Sequence, residues 1–336
     1  MPCIFCASEE NLTAEHVFPA FMGGMLEVKD GSCRRCNAEF GLAEAELKEP
    51  ITPLLNLLQI SNRYDVVPNA QLKANIRGLD LKSLPAFMDG KGQIIISDFV
   101  KTSVSDDGRL LRQGFFLTRE AGNRFVERAR AKGVQVIPRE VPTDFVIEAT
   151  YTVTLPFAFS IAARKVAAKI ALTAIAYQFG CEFALTSQFD SLRKVRTASG
   201  PQGLGVWIFA NEGFMSAQIR TAHQHGVMCY LSGGMRQGWA LVTLFGGITY
   251  LVDVTRAYSE PTSRQFSIFY DAVTKERIKP IILADEMTLI GHVLSPATKF
   301  EDREAIYNQW HPIISAFCAQ KGMIAERLGE IREAGG

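Results

Sequence analysis

Four cysteines in the first 36 residues constrain this chain more than any other feature. They form two C-x-x-C pairs, Cys3-Ile4-Phe5-Cys6 and Cys33-Arg34-Arg35-Cys36. Each pair puts two thiols on one side of a tight turn, and two such knuckles close a tetrahedron suited to Zn²⁺. Four thiolates leave no open coordination position, so this zinc is expected to hold the fold rather than do chemistry. Cys181, Cys229 and Cys318 are scattered and read as small buried hydrophobes. Seven cysteines with no secretory signal argue against a disulfide framework.

The residues between the knuckles carry chemistry of another kind. Leu12-Thr13-Ala14-Glu15-His16-Val17-Phe18-Pro19 sets a carboxylate beside an imidazole among apolar neighbours. Phe21-Met22-Gly23-Gly24 reads as a turn, Asn37 follows Cys36 directly, and Ala38 to Lys48 has helix-forming composition. The order is knuckle, Glu-His strand, loop, knuckle, Asn, helix.

This order resembles the HNH endonuclease family, the ββα-metal or His-Me finger nucleases, in the zinc-stapled branch that includes phage endonuclease VII. Cys3, Cys6, Cys33, Cys36, Glu15, His16 and Asn37 match its pattern one by one, over about residues 1–49. The resemblance implies hydrolysis of phosphodiester bonds. His16 would be the general base on water, and Glu15 and Asn37 would hold a catalytic Mg²⁺ or Mn²⁺. Oxygen donors suit such hard ions, whereas the thiolates suit zinc. Two departures stand out. The acidic position carries Glu15 where the family usually has Asp, and Glu27 to Ser32 offers no clear middle residue to orient the base.

A nuclease must hold a polyanion, and the finger is poorly charged for that. Residues 1–50 carry four basic against nine acidic side chains, a net of −5, while the whole chain is +1. The remainder therefore carries the excess positive charge, and the phosphate contacts are expected there. Arg119 to Lys132 reads as a basic helix with Thr118 at its start and Gly133 at its end. Arg124 and Arg128 on it, Arg164 and Lys165 on a helix over 157–179, and Arg193 and Lys194 just beyond are the candidate nucleic-acid contacts. Double-stranded DNA is the expected partner by family resemblance, with a homodimer a natural way to cut two strands.

The rest of the chain reads as mixed strands and helices. Residues 50–72 look like a connector with a short helix in LLNLLQISN, and residues 73–336 like a larger α+β region, with a split near 200 into two subdomains as one option. Strands are expected in QIIISDFV, VQVIP, FVIEATYTVTL, GVMCYLS and FSIFYDAV, and the clearest hairpin is WALVTLF-GG-ITYLVDV. Ile161, Val166, Ile170, Ala174 and Tyr177 approximate one apolar face of the 157–179 helix. Residues 300–333 read as helical with a break at Trp310-His311-Pro312, Trp207 and Trp239 as core, and His223 and His225 as surface residues rather than a metal pair. The fold class is α+β, with a zinc-stapled ββα finger at the N-terminus. The N-terminus lacks a signal-peptide pattern and the most apolar helix is too charged to span a bilayer, so a cytoplasmic protein is expected. The rival expectation is a non-catalytic zinc-stapled nucleic-acid-binding or regulatory protein.

Overall fold

The computed structural model describes residues 2–77, 81–96, 98–104, 110–116, 118–137, 146–150, 153, 155–200, 203–210, 221–279, 291, 293, 295–321 and 323. Among these the strands are β1 (Leu12–His16), β2 (Glu27–Cys33), β3 (Ala70–Arg77), β4 (Leu81–Met88), β5 (Ile94–Ile96), β6 (Phe99–Val104), β7 (Leu110–Phe115) and β8 (Val146–Thr150). They continue with β9 (Val206–Ala210), β10 (Gln224–Ser232), β11 (Gln237–Leu244), β12 (Ile248–Thr255), β13 (Arg264–Asp271), β14 (Glu276–Ile278) and β15 (Lys299–Phe300). The α-helices are α1 (Arg34–Leu57), α2 (Arg119–Ala131), α3 (Ile161–Phe179), α4 (Cys181–Ala184), α5 (Asp190–Lys194) and α6 (Arg303–Gln320). All described strand pairs are antiparallel, so the class is α+β.

The chain divides into two compact units, one of residues 1–50, 60–65 and 154–336, the other of residues 51–59 and 66–153. In the first, β1 and β2 pair and α1 follows at once, a ββα finger. Cys33 ends β2 and Cys36 lies in the first turn of α1, so the second knuckle is the strand-to-helix corner itself. The first knuckle is tied to β2 by the Ile4 N–H, which donates to the Gly31 carbonyl at 2.9 Å. Along the β1–β2 pair the register slips. Thr13 faces Ser32 but Glu15 faces Val28, so extra residues bulge from β2 at this point. Here Glu15 turns inward while Ala14 stays exposed.

Helix α1 runs further than its sequence suggests. It passes through Pro50 and Pro53 to Leu57, so the LLNL segment is its end rather than a separate short helix. Each proline removes a helical N–H bond. The apolar residues Leu47, Ile51, Leu54 and Leu58 repeat at helical spacing and are all buried, which offsets that loss.

The main sheet of the first unit has seven strands in the order β14-β13-β10-β11-β12-β9-β15. The expected β11–β12 hairpin forms, and GVMCYLS and FSIFYDAV pair as β10 and β13. Helix α3 packs against β9 to β12 and also against β2. Its start differs from expectation: Leu155–Phe159 form a 3-10 turn, and the Ser160 hydroxyl then caps the helix by accepting from the Ala163 N–H at 3.0 Å. Nor does it show one apolar face. Every residue from Ala162 to Ala176 except Lys165 is buried, as befits a helix enclosed on all sides. Helix α6 is unbroken at Pro312 because its Trp310 and Gln309 side chains anchor it to the β11–β12 turn, donating to the Phe245 and Gly247 carbonyls at 3.0 and 2.7 Å. Residues of the expected 300–333 helix beyond Lys321 lie outside the described ones, save Met323. Trp207 is 37% exposed on β9 rather than core.

The second unit holds a four-stranded sheet, β5-β4-β3-β8, the β6–β7 hairpin and helix α2. Asn56 is fully buried there and donates to the carbonyls of Pro68 and Asp89 at 2.7 and 3.1 Å. Val134 to Ile137 form no strand, contrary to expectation, and Pro138 lies outside the described residues. Among the described residues no helix is long and apolar enough to cross a membrane.

Candidate metal centre and active site

The four N-terminal cysteines converge. Their Sγ atoms all lie within 4.8 Å of one another, and Cys6 Sγ is 3.5 Å from Cys33 Sγ. That separation is too long for a disulfide and close to the ~3.8 Å edge of a tetrahedron with ~2.3 Å zinc–sulfur bonds. All four are free thiols, and Cys3, Cys33 and Cys36 are buried. Burial pushes the Cys3 and Cys36 thiols up, whereas hydrogen bonds from the Ser8 backbone and the neighbouring thiols outweigh burial at Cys6 and bring it to about 6. Arg196, just after α5, donates to Cys36 Sγ at 2.9 Å and pairs with Glu39 of α1 at 2.9 Å. Arg35 sits beside Cys6. The cluster is suited to Zn²⁺; four thiolates around that ion would carry a net charge of about −2, which these two guanidiniums would offset.

Glu15 and His16 end β1, whose first residue, Leu12, is the register partner of Cys33. Glu15 is 2% exposed, and its Oε1 pairs with Lys169 Nζ of α3 at 2.6 Å. Lys169 also pairs with Glu44 of α1 and lies 5.8 Å from the Phe40 ring centroid. Burial presses on this ammonium, but the two carboxylates outweigh it and hold its pKa above the usual lysine value. Breaking a buried pair of this kind by removing one partner costs about 3–5 kcal/mol. Two polar atoms remain: Glu15 Oε2 and His16 Nδ1 are buried and have no hydrogen-bond partner among the described residues. Burial lowers the His16 pKa, Glu27 and Glu15 pull it back up, and Lys169 and Arg63 push it down again. The net effect keeps the imidazole neutral at pH 7, the form a base needs. Asn37 stands on α1 with its side chain exposed and in no hydrogen bond among the described residues.

The finger is fastened to the main sheet through its Phe18–Gly24 loop. The Phe18 ring stacks on Tyr270 at 5.8 Å and lies 5.5 Å from the His225 ring. His225 donates to the Met22 carbonyl at 3.2 Å, and the Tyr270 hydroxyl to the Gly23 carbonyl at 2.9 Å. A side chain at Gly24 would drive its Cβ to 1.8 Å from the Phe18 carbonyl oxygen, so the loop closes only with glycine there.

Residues 3–47 match the family model of HNH endonucleases. No curated protein and no solved structure matches the chain. The HNH match covers both knuckles, Glu15, His16, Asn37 and most of the α1 segment within the first unit, and it suggests a nuclease.

The candidate nucleic-acid contacts have unequal surroundings. Arg124 and Arg128 are exposed one turn apart on α2, which Thr118 caps as expected, and Lys194 is exposed. Arg164 is turned inward instead: it donates to the Val206 carbonyl at 2.7 Å and pairs with Glu301 at 2.6 Å. Arg193 is bound into its own turn by the Ala184 and Thr186 carbonyls and Asp190, and Lys165 donates to the Arg196 carbonyl at 3.4 Å. His225 is fully buried and His223 pairs with Asp271 at 3.0 Å, so neither is a surface residue of the expected kind. Lys169 and Arg196 were not evident as site residues. The available signal was Lys169 itself, a lysine inside an alanine-rich helix that must find a buried acid.

Proposed function

We propose that this protein is a metal-dependent HNH endonuclease that hydrolyses phosphodiester bonds in DNA. The observation that carries the reading is the pair of buried, unpartnered atoms, Glu15 Oε2 and His16 Nδ1, inside a cysteine-stapled finger that matches HNH endonucleases. An oxygen in want of a partner on Glu15 and an unengaged amide on Asn37 fit a hard divalent cation such as Mg²⁺ or Mn²⁺. Such an ion supplies charge stabilisation to the leaving oxygen. His16, neutral at pH 7, takes the proton from the attacking water. Glu15 and Asn37 hold the ion, and zinc on Cys3, Cys6, Cys33 and Cys36 keeps α1 fixed against β1. The polyanion is bound outside the finger, with Arg124 and Arg128 of the second unit and Lys194 of the first the best exposed contacts. Double-stranded DNA, a homodimer, the cytoplasm and a role in restriction or phage defence complete the proposal, on family analogy.

The test is supercoiled plasmid with Mg²⁺ or Mn²⁺, beside EDTA and His16→Ala controls. Nicked or linear product that needs both the divalent ion and His16 is the expected result. One observation favours a second reading, a non-catalytic zinc-stapled binding protein: Lys169 already neutralises Glu15. That reading predicts DNA binding unaffected by His16→Ala and no metal-dependent product.

A further inference from the structure

A buried ammonium inside an apolar helix is costly unless it is paired, and Lys169 spends its charge wholly on the finger. Its neighbours Glu15, Glu44 and Phe40 come from β1 and α1, whereas Lys169 itself comes from α3. The Glu15 carboxylate is thereby divided: Oε1 is taken by the ammonium and Oε2 is buried without a partner. We propose that Lys169 is a built-in cation of the active site, which orients Glu15 so that Oε2 is the oxygen left for a divalent ion and which holds that ion's affinity down. The proposal rests on the nuclease reading above and extends it to α3.

The physical reason is Coulombic. The two oxygens of a carboxylate are too close for one to be insulated from what binds the other. A cation on Oε2 meets the repulsion of an ammonium 2.6 Å from Oε1, at a site sheltered from water. Around Lys169 the two carboxylates and one ammonium leave a single net negative charge. One net charge holds a divalent ion weakly, so firm binding waits for further oxygens, such as those of a substrate phosphate. Lys169 is in this sense a positioning residue that works through Glu15.

The experiment is a Mn²⁺ titration of the zinc-loaded full chain at pH 7, read by the electron paramagnetic resonance signal of free Mn²⁺. Mn²⁺ prefers oxygen donors and leaves the thiolates to zinc. Lys169→Met should bind Mn²⁺ at least about tenfold tighter than the parent, because the repelling charge is gone. Lys169→Arg keeps the charge and should stay near the parent. Adding Glu15→Gln to Lys169→Met should abolish the gain. If circular dichroism shows Lys169→Met unfolded, Lys169→Gln, which removes the charge but keeps a hydrogen-bond donor for Glu15, carries the same expectation. An unchanged affinity on loss of Lys169, a gain that survives Glu15→Gln, or no Mn²⁺ binding by any variant overturns the proposal. Cleavage is scored separately. Tighter Mn²⁺ binding without cleavage by the parent refutes the nuclease reading alone, and metal- and His16-dependent cleavage with unchanged affinity refutes the role of Lys169 alone.

Discussion

Acid should loosen the grip of the main sheet on the finger, and His225 is the residue through which this happens. Its ring is fully buried, with Nδ1 accepting from the Phe245 N–H at 3.2 Å and Nε2 facing the Met22 carbonyl at 3.2 Å. Both bonds are satisfied only by the neutral, Nε2-protonated ring. Burial lowers its pKa to about 4, against the upward pull of the Met22 carbonyl and Asp271. The unfolded chain takes up this proton near pH 6.5. Because the folded value is the lower one, the stabilisation is complete above pH 6.5 and is lost as pH falls toward 4. Between pH 7 and pH 5 the loss amounts to about 2 kcal/mol. His225→Phe removes the titration. It also leaves the Met22 carbonyl and the Phe245 N–H unpaired, at about 1–3 kcal/mol each, so the variant is the weaker protein at pH 7. Equilibrium urea unfolding of both zinc-loaded proteins at pH 7 and pH 5 measures the gap between them. The gap should narrow by about 2 kcal/mol at the lower pH. A gap that stays constant across this range would show that His225 does not titrate as its burial demands.

Three further outcomes are expected. The His16 pKa is lowered, with burial the largest cause, so the acid limb of the cleavage rate should bend below pH 6.5, the rate rising with pH and then levelling; a bend above 6.5 contradicts the base assignment. Cys33→Ala should lose one bound zinc per chain, read by elemental analysis, together with the amide protection of β1, β2 and the first turns of α1, since structural zinc supplies folding free energy. Arg196→Met should weaken zinc retention by about tenfold against a competing chelator, as loss of a hydrogen bond to a metal ligand does, while leaving the circular dichroism spectrum unchanged.

The finger was legible in the linear chain because its constraints are local. Two C-x-x-C spacings, the Glu15-His16 pair and Asn37 after Cys36 are short-range patterns whose geometry follows from a turn, a strand and a helix start. The β11–β12 hairpin was legible for the same reason, its Gly246 sitting at φ +75 where a turn needs it. Readings failed where a distant partner decides. Pro50 and Pro312 look like breaks, but buried neighbours hold α1 and α6 together across them. The single apolar face read into α3 belonged to a helix that is covered all round. Arg164 looked like a surface charge until Glu301 and the Val206 carbonyl enclosed it.

Residue order alone was enough for the four-cysteine cluster, the strand that carries Glu15 and His16, and the α+β class, because each depends on neighbours a few positions apart. Tertiary structure alone decided which charges serve the finger. Lys169 reaches Glu15 from α3, Arg196 reaches Cys36, and His225 and Tyr270 hold the Met22 and Gly23 carbonyls. No periodicity encodes those pairings. They arise because a buried charge or polar group must find its partner wherever the fold brings one.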